Sequence, residues 1–255
     1  MKAVILAGGK GTRISEESKV RPKPMVEIGT QPILWHIMKR YEKYGIKDFI
    51  ICCGYKGHII KKYFLDYISN RDDINIDIMT GCKTPVRDVH ENWRVTLVDT
   101  GWDTLTAGRI LKIKEYVGNE PFFLTYGDGV ADINLEALIT NHKKSNKTLT
   151  ISVTKPKGRF GGVDIKNDGT VTGFREKSQD DQTWVNIGFM VMDPNIFSYL
   201  GDGSTMLESK PFEQLVRDNE MNAYHHLGFW SPMDNIHDRD YLNQIWNTGN
   251  APWMN

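Results

Sequence analysis

Short apolar runs alternate with segments of helical period through the first half of the chain. Residues 4–7 and 49–53 are almost unbroken apolar runs, a pattern typical of parallel strands covered on both faces. Between them, apolar residues recur every three or four positions from Ile33 to Tyr41, which predicts an amphipathic helix ending near Gly45. Strands separated by helices predict right-handed crossovers, and hence a doubly wound, mostly parallel α/β sheet.

The same alternation continues to about residue 125. The expected elements are a helix over 57–68, a half-buried strand through Ile74, Ile76 and Ile78, an amphipathic helix marked by Ala107, Ile110, Leu111 and Lys114, and a strand over 122–125. The stretch 80–92 carries charges without a clear period. We therefore expect a loop or an ordered flap there.

Antiparallel signals replace this alternation after about residue 155. The expected elements are hairpin strands over 162–165 and 171–174, a strand over 184–191 and a closing helix over 238–246. Asp168-Gly169 supplies the turn of the hairpin. No linker rich in Pro, Gly or Ser separates the halves, so the sequence predicts a single domain over 1–255. The change of pattern divides this domain into a first half, about 1–155, and a second half, 156–255.

The composition limits the kinds of partner. The chain has 255 residues with 32 basic and 32 acidic side chains, so no overall positive charge attracts nucleic acid or an anionic membrane. No apolar run approaches the length of a transmembrane helix. The three cysteines include the adjacent pair Cys52-Cys53, which fits neither a disulfide framework nor a CxxC site. We therefore expect a globular cytoplasmic protein.

The first predicted strand runs directly into a glycine-rich turn, Gly8-Gly9-Lys10-Gly11-Thr12-Arg13. Glycines lack the Cβ atoms that would hold backbone N–H groups away from an anion, and they permit positive φ angles. Arg13 and the later Lys23 add positive charge beside this turn. An ordinary tight turn is the alternative, because turns hold many glycines. Three glycines in four positions with two nearby cations favour a phosphate-binding loop.

Two familiar glycine motifs are excluded by counting. The dinucleotide fingerprint G-x-G-x-x-G would need its third glycine at Ile14, and an acid where Gly54 follows the second strand. A P-loop needs Gly-Lys followed by Ser or Thr, but Lys10 is followed by Gly11. The sequence therefore argues against a Rossmann oxidoreductase and against a P-loop nucleotidase.

A carboxylate follows another predicted strand of the same sheet. Asp128 stands between Gly127 and Gly129, directly after the strand over 122–125. Ligands of open α/β sheets sit at the carboxyl ends of strands, the edge at which the glycine turn also begins. Mg²⁺ prefers one or two carboxylates together with substrate phosphates. Asp128 is thus a candidate Mg²⁺ ligand, although Gly-Asp-Gly alone is more often a turn.

Several motifs together resemble a known family. The glycine turn and Pro22-Lys23-Pro24-Met25-Val26 resemble the signature of sugar-1-phosphate nucleotidyltransferases. Longer stretches resemble the glucose-1-phosphate cytidylyltransferase family, at residues 32–38, 45–55, 124–130, 158–161, 228–230 and 251–253. The resemblance implies a Rossmann-like nucleotidyltransferase fold and transfer of a cytidylyl group from CTP to α-D-glucose 1-phosphate with Mg²⁺. It implies that the first half, about 1–155, binds the nucleotide and that 156–255 binds the sugar phosphate. It also implies a homo-oligomer such as a hexamer, and a role in CDP-deoxyhexose synthesis for lipopolysaccharide O-antigen.

The resemblance also assigns roles to individual residues. The implied metal ligands are Asp128 and Asp234. The implied nucleotide and substrate contacts are Leu6, Ala7, Gly8, Gly9, Lys10, Gly11, Thr12, Arg13, Lys23, Thr104, Arg109 and Asp128. The implied sugar-phosphate contacts are Glu176, Lys177 and Asn186. Lys23 is expected on the α-phosphate and Arg13 on the leaving pyrophosphate. Without the resemblance, Arg109 would be interpreted as a solvated helix charge and Asp234 as a loop residue.

Two positions depart from the family pattern, and alternatives remain. Ser178 replaces the proline of the Glu-Lys-Pro element, and Ile187 stands where cytidylyltransferases usually have glycine. Both lie on the sugar side, so they weaken the expectation of glucose more than that of the chemistry. The same reaction with another sugar 1-phosphate, or with UTP or dTTP, remains open. A non-catalytic sugar-nucleotide sensor is disfavoured because Lys23, Asp128 and Asp234 are all present.

Overall fold

The computed structural model describes residues 1–11, 20–68, 70–71, 73–86, 91–156, 162–165, 170–175 and 183–255. The strands are β1 (Ala3–Ala7), β2 (Glu27–Ile28), β3 (Gln31–Pro32), β4 (Asp48–Cys53), β5 (Ile74–Ile76), β6 (Lys83–Pro85), β7 (Arg94–Asp99), β8 (Phe122–Tyr126), β9 (Gly129–Ala131), β10 (Leu149–Thr154), β11 (Gly162–Ile165), β12 (Val171–Arg175), β13 (Val185–Met192), β14 (Met221–His225) and β15 (Trp230–Pro232). The α-helices are α1 (Ile33–Glu42), α2 (Gly57–Leu65), α3 (Thr106–Leu111), α4 (Lys114–Val117), α5 (Leu135–Ser145), α6 (Lys210–Arg217) and α7 (Ile236–Asn247). Short 3₁₀ turns cover Lys23–Met25, Pro194–Ser198 and Pro252–Met254.

A mixed seven-stranded sheet organises these elements, in the order β14-β10-β13-β8-β1-β4-β7. Strands β8, β1, β4 and β7 are parallel to one another, as the buried apolar runs of the first half predict. Strand β13 is antiparallel to both β8 and β10. The predicted α/β class, with a mostly parallel sheet and antiparallel strands in the second half, is confirmed.

Two apolar layers cover this sheet, one on each face. The first layer contains α1, α2, α5 and α7, with Tyr41 and Trp253 fully buried in it. The second layer contains α3, α4 and α6, with Ile110 and Leu207 buried. Alternate residues of β1 enter opposite layers, since Ala7 packs in the first and Leu6 in the second. Strand β1 therefore contributes side chains to both layers.

Several predicted boundaries were wrong. Helix α2 ends at Leu65 rather than at residue 68, and the helix expected from Ala107 to Lys114 is two short helices, α3 and α4. The strand expected through Ile78 stops at Ile76. It forms an exposed hairpin with β6, which lies within the stretch expected to be a loop. Periodicity failed here because the hairpin does not join the seven-stranded sheet, and Ile76 and Ile78 are exposed.

The hairpin of the second half forms as predicted, with β11 antiparallel to β12. Its Asp168-Gly169 turn lies outside the described residues. No helix in the described parts of the chain is long and apolar enough to cross a bilayer. The single-domain boundaries stay a prediction, although strands from both halves share the central sheet.

Candidate active site

A cleft opens at the carboxyl ends of β1 and β8, where the glycine turn leaves the sheet. Its volume is about 350 Å³, within the range of small-molecule sites. We call it the glycine cleft. It is lined by Leu6, Ala7, Gly8, Gly9, Gly11, Lys23, Pro24, Thr104, Leu105, Thr106, Arg109, Tyr126, Gly127, Asp128, Met206 and Glu208. The structure thus brings most of the predicted nucleotide contacts into one cavity.

The side chain of Arg109 packs directly against Gly8 and restricts this position to glycine. A Cβ atom at Gly8 would lie 2.1 Å from Nη1 of Arg109, so no other residue fits without displacing that side chain. By contrast, a Cβ atom at Gly9 would meet no heavy atom within 4 Å. The first glycine is therefore required for close packing against the arginine, and the second leaves the turn open towards the cleft.

Arg109 joins the ends of three neighbouring strands. Its Nη2 donates to the carbonyl of Gly8 (2.9 Å), and its Nη1 donates to Thr100 Oγ1 (2.6 Å) and the carbonyl of Gly101 (2.9 Å). Nη1 also approaches the carbonyl of Cys53, the last residue of β4. Burial lowers the pKa of Arg109. The interpretation of Arg109 as a solvated helix charge is wrong, because its guanidinium is buried and holds the glycine turn on the sheet.

Lys23 lies between the two carboxylates of the candidate metal site. Its Nζ donates to Asp128 Oδ2 and to Asp234 Oδ1, at 2.7 Å each. The lysine side chain is only 7% exposed, so water screens these charges weakly. Lys23 begins a 3₁₀ turn between two prolines, which restrict the backbone conformations available there.

The pairing of two short strands brings the acids together. Strand β9 is antiparallel to β15, with Gly129 opposite Pro232. Asp128 precedes β9, and Asp234 follows β15 closely, so antiparallel pairing sets them side by side. The N–H of Met233 donates to the carbonyl of Asp128 at 2.8 Å, which extends this contact. In turn, the N–H of Asp234 donates to Asp238 Oδ2, whose side chain also caps α7.

A second, larger cleft of about 910 Å³ adjoins Asp234. We call it the aromatic cleft. It is lined by Thr154, Lys155, Pro156, Trp184, Val185, Asn186, Leu227, Gly228, Phe229, Trp230, Ser231, Pro232, Asp234, Asp238 and Tyr241. Trp184 stacks on His225 with ring centroids 4.4 Å apart, and Lys155 lies over the same indole. Asn186 Oδ1 accepts a hydrogen bond from the N–H of Gly188, which fixes its amide.

Not every predicted contact residue lies in these clefts. Lys10 is absent from the lining of the glycine cleft and forms an ion pair with Asp103 at 2.6 Å on the surface. Thr104 and Arg109 line the glycine cleft, and Asn186 lines the aromatic cleft. Five positions singled out from the sequence lie outside the described residues. They are the predicted contacts Thr12, Arg13, Glu176 and Lys177, and the departure at Ser178.

The sequence did not reveal three further residues of the glycine cleft. Tyr126 donates from its hydroxyl to Glu208 Oε1, and Thr106 Oγ1 donates to Glu208 Oε2 at 3.1 Å. Burial, and the nearby charge of Glu208, raise the pKa of the Tyr126 hydroxyl, which therefore stays protonated. Tyr126 could have been found as the last residue of a buried strand. Glu208 had no signal, because it lies in a loop far along the chain.

The site combines a glycine turn, a buried lysine and two acids at the carboxyl ends of strands in an α/β sheet. This arrangement suits enzymes that transfer phosphate-containing groups, because such reactions need negative charge to be neutralised. The family model of nucleotidyl transferases matches residues 2–236. The chain belongs to this family. Glucose-1-phosphate cytidylyltransferases from Salmonella typhimurium and Salmonella typhi are each 48% identical to it, over 99% of this chain and 98% of theirs. The family resemblance of the sequence is confirmed.

A solved structure supports the fold independently of close sequence similarity. UDP-glucose pyrophosphorylase from Acinetobacter baumannii superposes with a TM-score of 0.70. The match covers 99% of this chain and 95% of that one, at 18% identity. The nucleotidyltransferase fold predicted from the sequence is therefore confirmed.

Proposed function

We propose that this chain transfers a cytidylyl group from CTP to α-D-glucose 1-phosphate, releasing pyrophosphate and CDP-glucose. The observation that carries this proposal is the position of Lys23, Asp128 and Asp234. Lys23 and Asp128 line the glycine cleft, whereas Asp234 lines the aromatic cleft. A two-substrate transfer needs two sites that meet at the reacting atoms. The close relatives named for this reaction supply its particular substrates.

The reaction depends on positioning and on charge. Both substrates are polyanions that repel each other, so the protein must hold them together and neutralise negative charge as it develops. The sugar phosphate is already largely ionised at pH 7, so its oxygen attacks the α-phosphorus of CTP without a general base. The amides of Gly8, Gly9 and Gly11 face the triphosphate. Lys23 donates to the α-phosphate, and Arg13 is proposed to bind the departing pyrophosphate.

The acid pair fits the Mg²⁺ that the family implies. Asp128 and Asp234 each place one carboxylate oxygen 2.7 Å from Nζ of Lys23, so the two acids are able to bind a single cation together. Among the described residues, no group of three or more His, Cys, Asp or Glu is arranged to hold a metal. Two carboxylates suffice for Mg²⁺, which takes phosphate oxygens and water as its other ligands. When bound, the metal would neutralise phosphate charge, held by Asp128 and Asp234.

The aromatic cleft is proposed to bind the sugar phosphate. Aromatic rings such as Trp184 present apolar faces to a hexose, and Asn186 offers an amide to its hydroxyl groups. Ile187, one of the two departures from the family pattern, is buried in the first layer and is absent from the lining of the aromatic cleft. Glu176 and Lys177 complete this site in the proposal.

We also infer that the chain assembles as a homo-oligomer. Leu65, Ile78 and Met79 are each more than four-fifths exposed, and covering such side chains by a second copy would be favourable. Size-exclusion chromatography with light scattering should give a multiple of the 29.2 kDa chain mass, and a monomer would contradict this inference. We place the enzyme in the cytoplasm, where CTP is available, and in CDP-deoxyhexose synthesis for surface polysaccharide such as lipopolysaccharide O-antigen.

Pyrophosphate release tests the proposed reaction. The purified enzyme is incubated with Mg²⁺, glucose 1-phosphate and CTP, UTP or dTTP in turn, and then with CTP and other sugar 1-phosphates. We expect CTP with glucose 1-phosphate to give the highest kcat/KM. Equal rates with UTP or dTTP would overturn the base assignment, and a higher rate with another sugar would overturn glucose. No pyrophosphate with any pair would favour the non-catalytic sensor.

A further inference from the structure

The lining of the glycine cleft includes residues of both apolar layers, since Ala7 belongs to the first and Leu6 to the second. Lys23 lies beside Met25, and Asp234 beside Met233, both buried in the first layer. Thr106 and Glu208 flank Ala107 and Leu207, which are buried in the second layer. Lys23, Thr106 and Glu208 all line the same cleft, so one nucleotide is able to contact all three.

The two ends of this cleft differ in charge. At the end of the cleft next to the first layer, Lys23 supplies positive charge and the glycine amides supply N–H donors. At the other end, Glu208 supplies a carboxylate, which repels phosphate. The part of a nucleotide that lies against Glu208 is thus an uncharged one, the base or the ribose.

Glu208 is held in place as a hydrogen-bond acceptor. Tyr126 and Thr106 each donate a hydroxyl proton to one of its two oxygens. Thr106 Oγ1 is itself oriented by the N–H of Leu207, which donates to it at 2.7 Å. A carboxylate accepts about four hydrogen bonds, so these contacts fix its position while leaving lone pairs for a ligand. Rigid acceptors of this kind discriminate between ligands that differ in one donor.

Cytosine and uracil differ in this way at position 4 of the ring. Cytosine carries an amino group there, a donor that Glu or Asp side chains accept in nucleic-acid recognition. Uracil and thymine carry a carbonyl oxygen, which would face the carboxylate as a second acceptor. We propose that Glu208 selects cytosine over uracil and thymine by accepting a hydrogen bond from the 4-amino group. This inference deepens the proposed function and rests on it.

The variant Glu208→Gln tests this role. Its side-chain amide has the same shape but can either accept from an amino group or donate to a carbonyl. We expect the ratio of kcat/KM for UTP to that for CTP to rise by about 10–100-fold, the discrimination that one good base contact supplies. The matched control is Glu213→Gln in α6, whose carboxylate is exposed and faces Arg217. It should leave the ratio unchanged.

The outcomes separate this inference from the proposed function. If the wild type prefers CTP and Glu208→Gln does not alter the ratio, the role of Glu208 is wrong and the reaction stands. Measuring kcat/KM for 2′-deoxy-CTP distinguishes a contact with the base from a contact with the ribose. If Glu208→Gln changes the ratio of kcat/KM for CTP to that for 2′-deoxy-CTP but leaves the UTP to CTP ratio unchanged, Glu208 contacts the ribose instead. If the wild type uses UTP as well as CTP, both proposals fail. Thermal melting of each variant checks that the fold is intact.

Discussion

The ammonium group of Lys23 lies 2.7 Å from a carboxylate oxygen of Asp234, although 211 positions separate the two residues in the chain. The same nitrogen contacts Asp128 on the other side. In the protein without substrates, Lys23 therefore occupies the place between two acids that a divalent cation would take. With the proposed Mg²⁺ and CTP, lysine and metal would compete for the same oxygens, and a phosphate of the nucleotide would give Lys23 another partner.

Removing Lys23 should strengthen metal binding in the absence of nucleotide. In Lys23→Met the two carboxylates keep their charge but lose their buried cation, so their affinity for Mn²⁺ should rise about tenfold or more, equivalent to roughly 1.4 kcal/mol. Electron paramagnetic resonance titration with Mn²⁺ measures free metal directly. Turnover at saturating CTP should fall at the same time. An affinity equal to or weaker than that of the wild type would show that lysine and metal do not compete.

Neutralising either acid should nearly abolish turnover. In Asp128→Asn and Asp234→Asn, one of the two charges proposed to hold Mg²⁺ is lost, and loss of a preorganised electrostatic group typically costs about 10²–10³ in rate. Steady-state pyrophosphate release measures this. Glu115→Gln, at an exposed site in α4, is the control for loss of one carboxylate. Full activity in either Asn variant would remove that residue from the site.

Gly8→Ala should destabilise the protein much more than Gly9→Ala. The new Cβ would overlap the guanidinium of Arg109, and overpacking of this kind costs about 1–3 kcal/mol. At Gly9 a Cβ meets open space, so the same chemical change should have a small effect on the free energy of unfolding. Urea denaturation of the two variants compares them. Equal stabilities would mean that Arg109 moves aside at little cost.

His36 should make the fold less stable in acid. Burial lowers its pKa from 6.5 to about 4, although the hydrogen bond of its Nε2 to the carbonyl of Ile28 acts in the opposite direction. Trp253 Nε1 donates to its Nδ1, which accepts as a neutral ring nitrogen. The neutral ring is therefore favoured in the folded state. The contribution of neutral His36 to the free energy of unfolding is fully present above pH 6.5. It is lost as the pH falls towards 4, and the total loss is about 3 kcal/mol.

The dependence of unfolding on pH checks this assignment. The free energy of unfolding should fall less steeply between pH 6.5 and 4 in His36→Gln than in the wild type. His58→Gln, at an exposed site in α2, should retain the slope of the wild type. An unchanged slope in His36→Gln would assign the acid sensitivity to other groups.

The sequence by itself determined the framework of the fold. Unbroken apolar runs specify the buried strands β1, β4 and β8, because only strands covered on both faces tolerate them. The sequence pattern failed to predict the end of β5. Ile78 alternates with Ile74 and Ile76, but Ile76 and Ile78 are exposed. Local chemistry likewise identified the glycine turn, Lys23 and Asp128 as candidates, since their residue types and positions at strand ends indicate phosphate and metal binding.

Only the tertiary structure decided which distant residues complete the site. Asp234 reaches Asp128 through the pairing of β9 with β15, and no spacing in the chain records that pairing. Arg109 lies beneath the glycine turn because α3 packs in the second layer, which placed a predicted surface charge in the interior. Glu208 reaches the cleft through contacts of its loop with Tyr126 and Thr106. Contacts between residues far apart in the chain depend on the whole packed fold, and a local pattern carries no information about them.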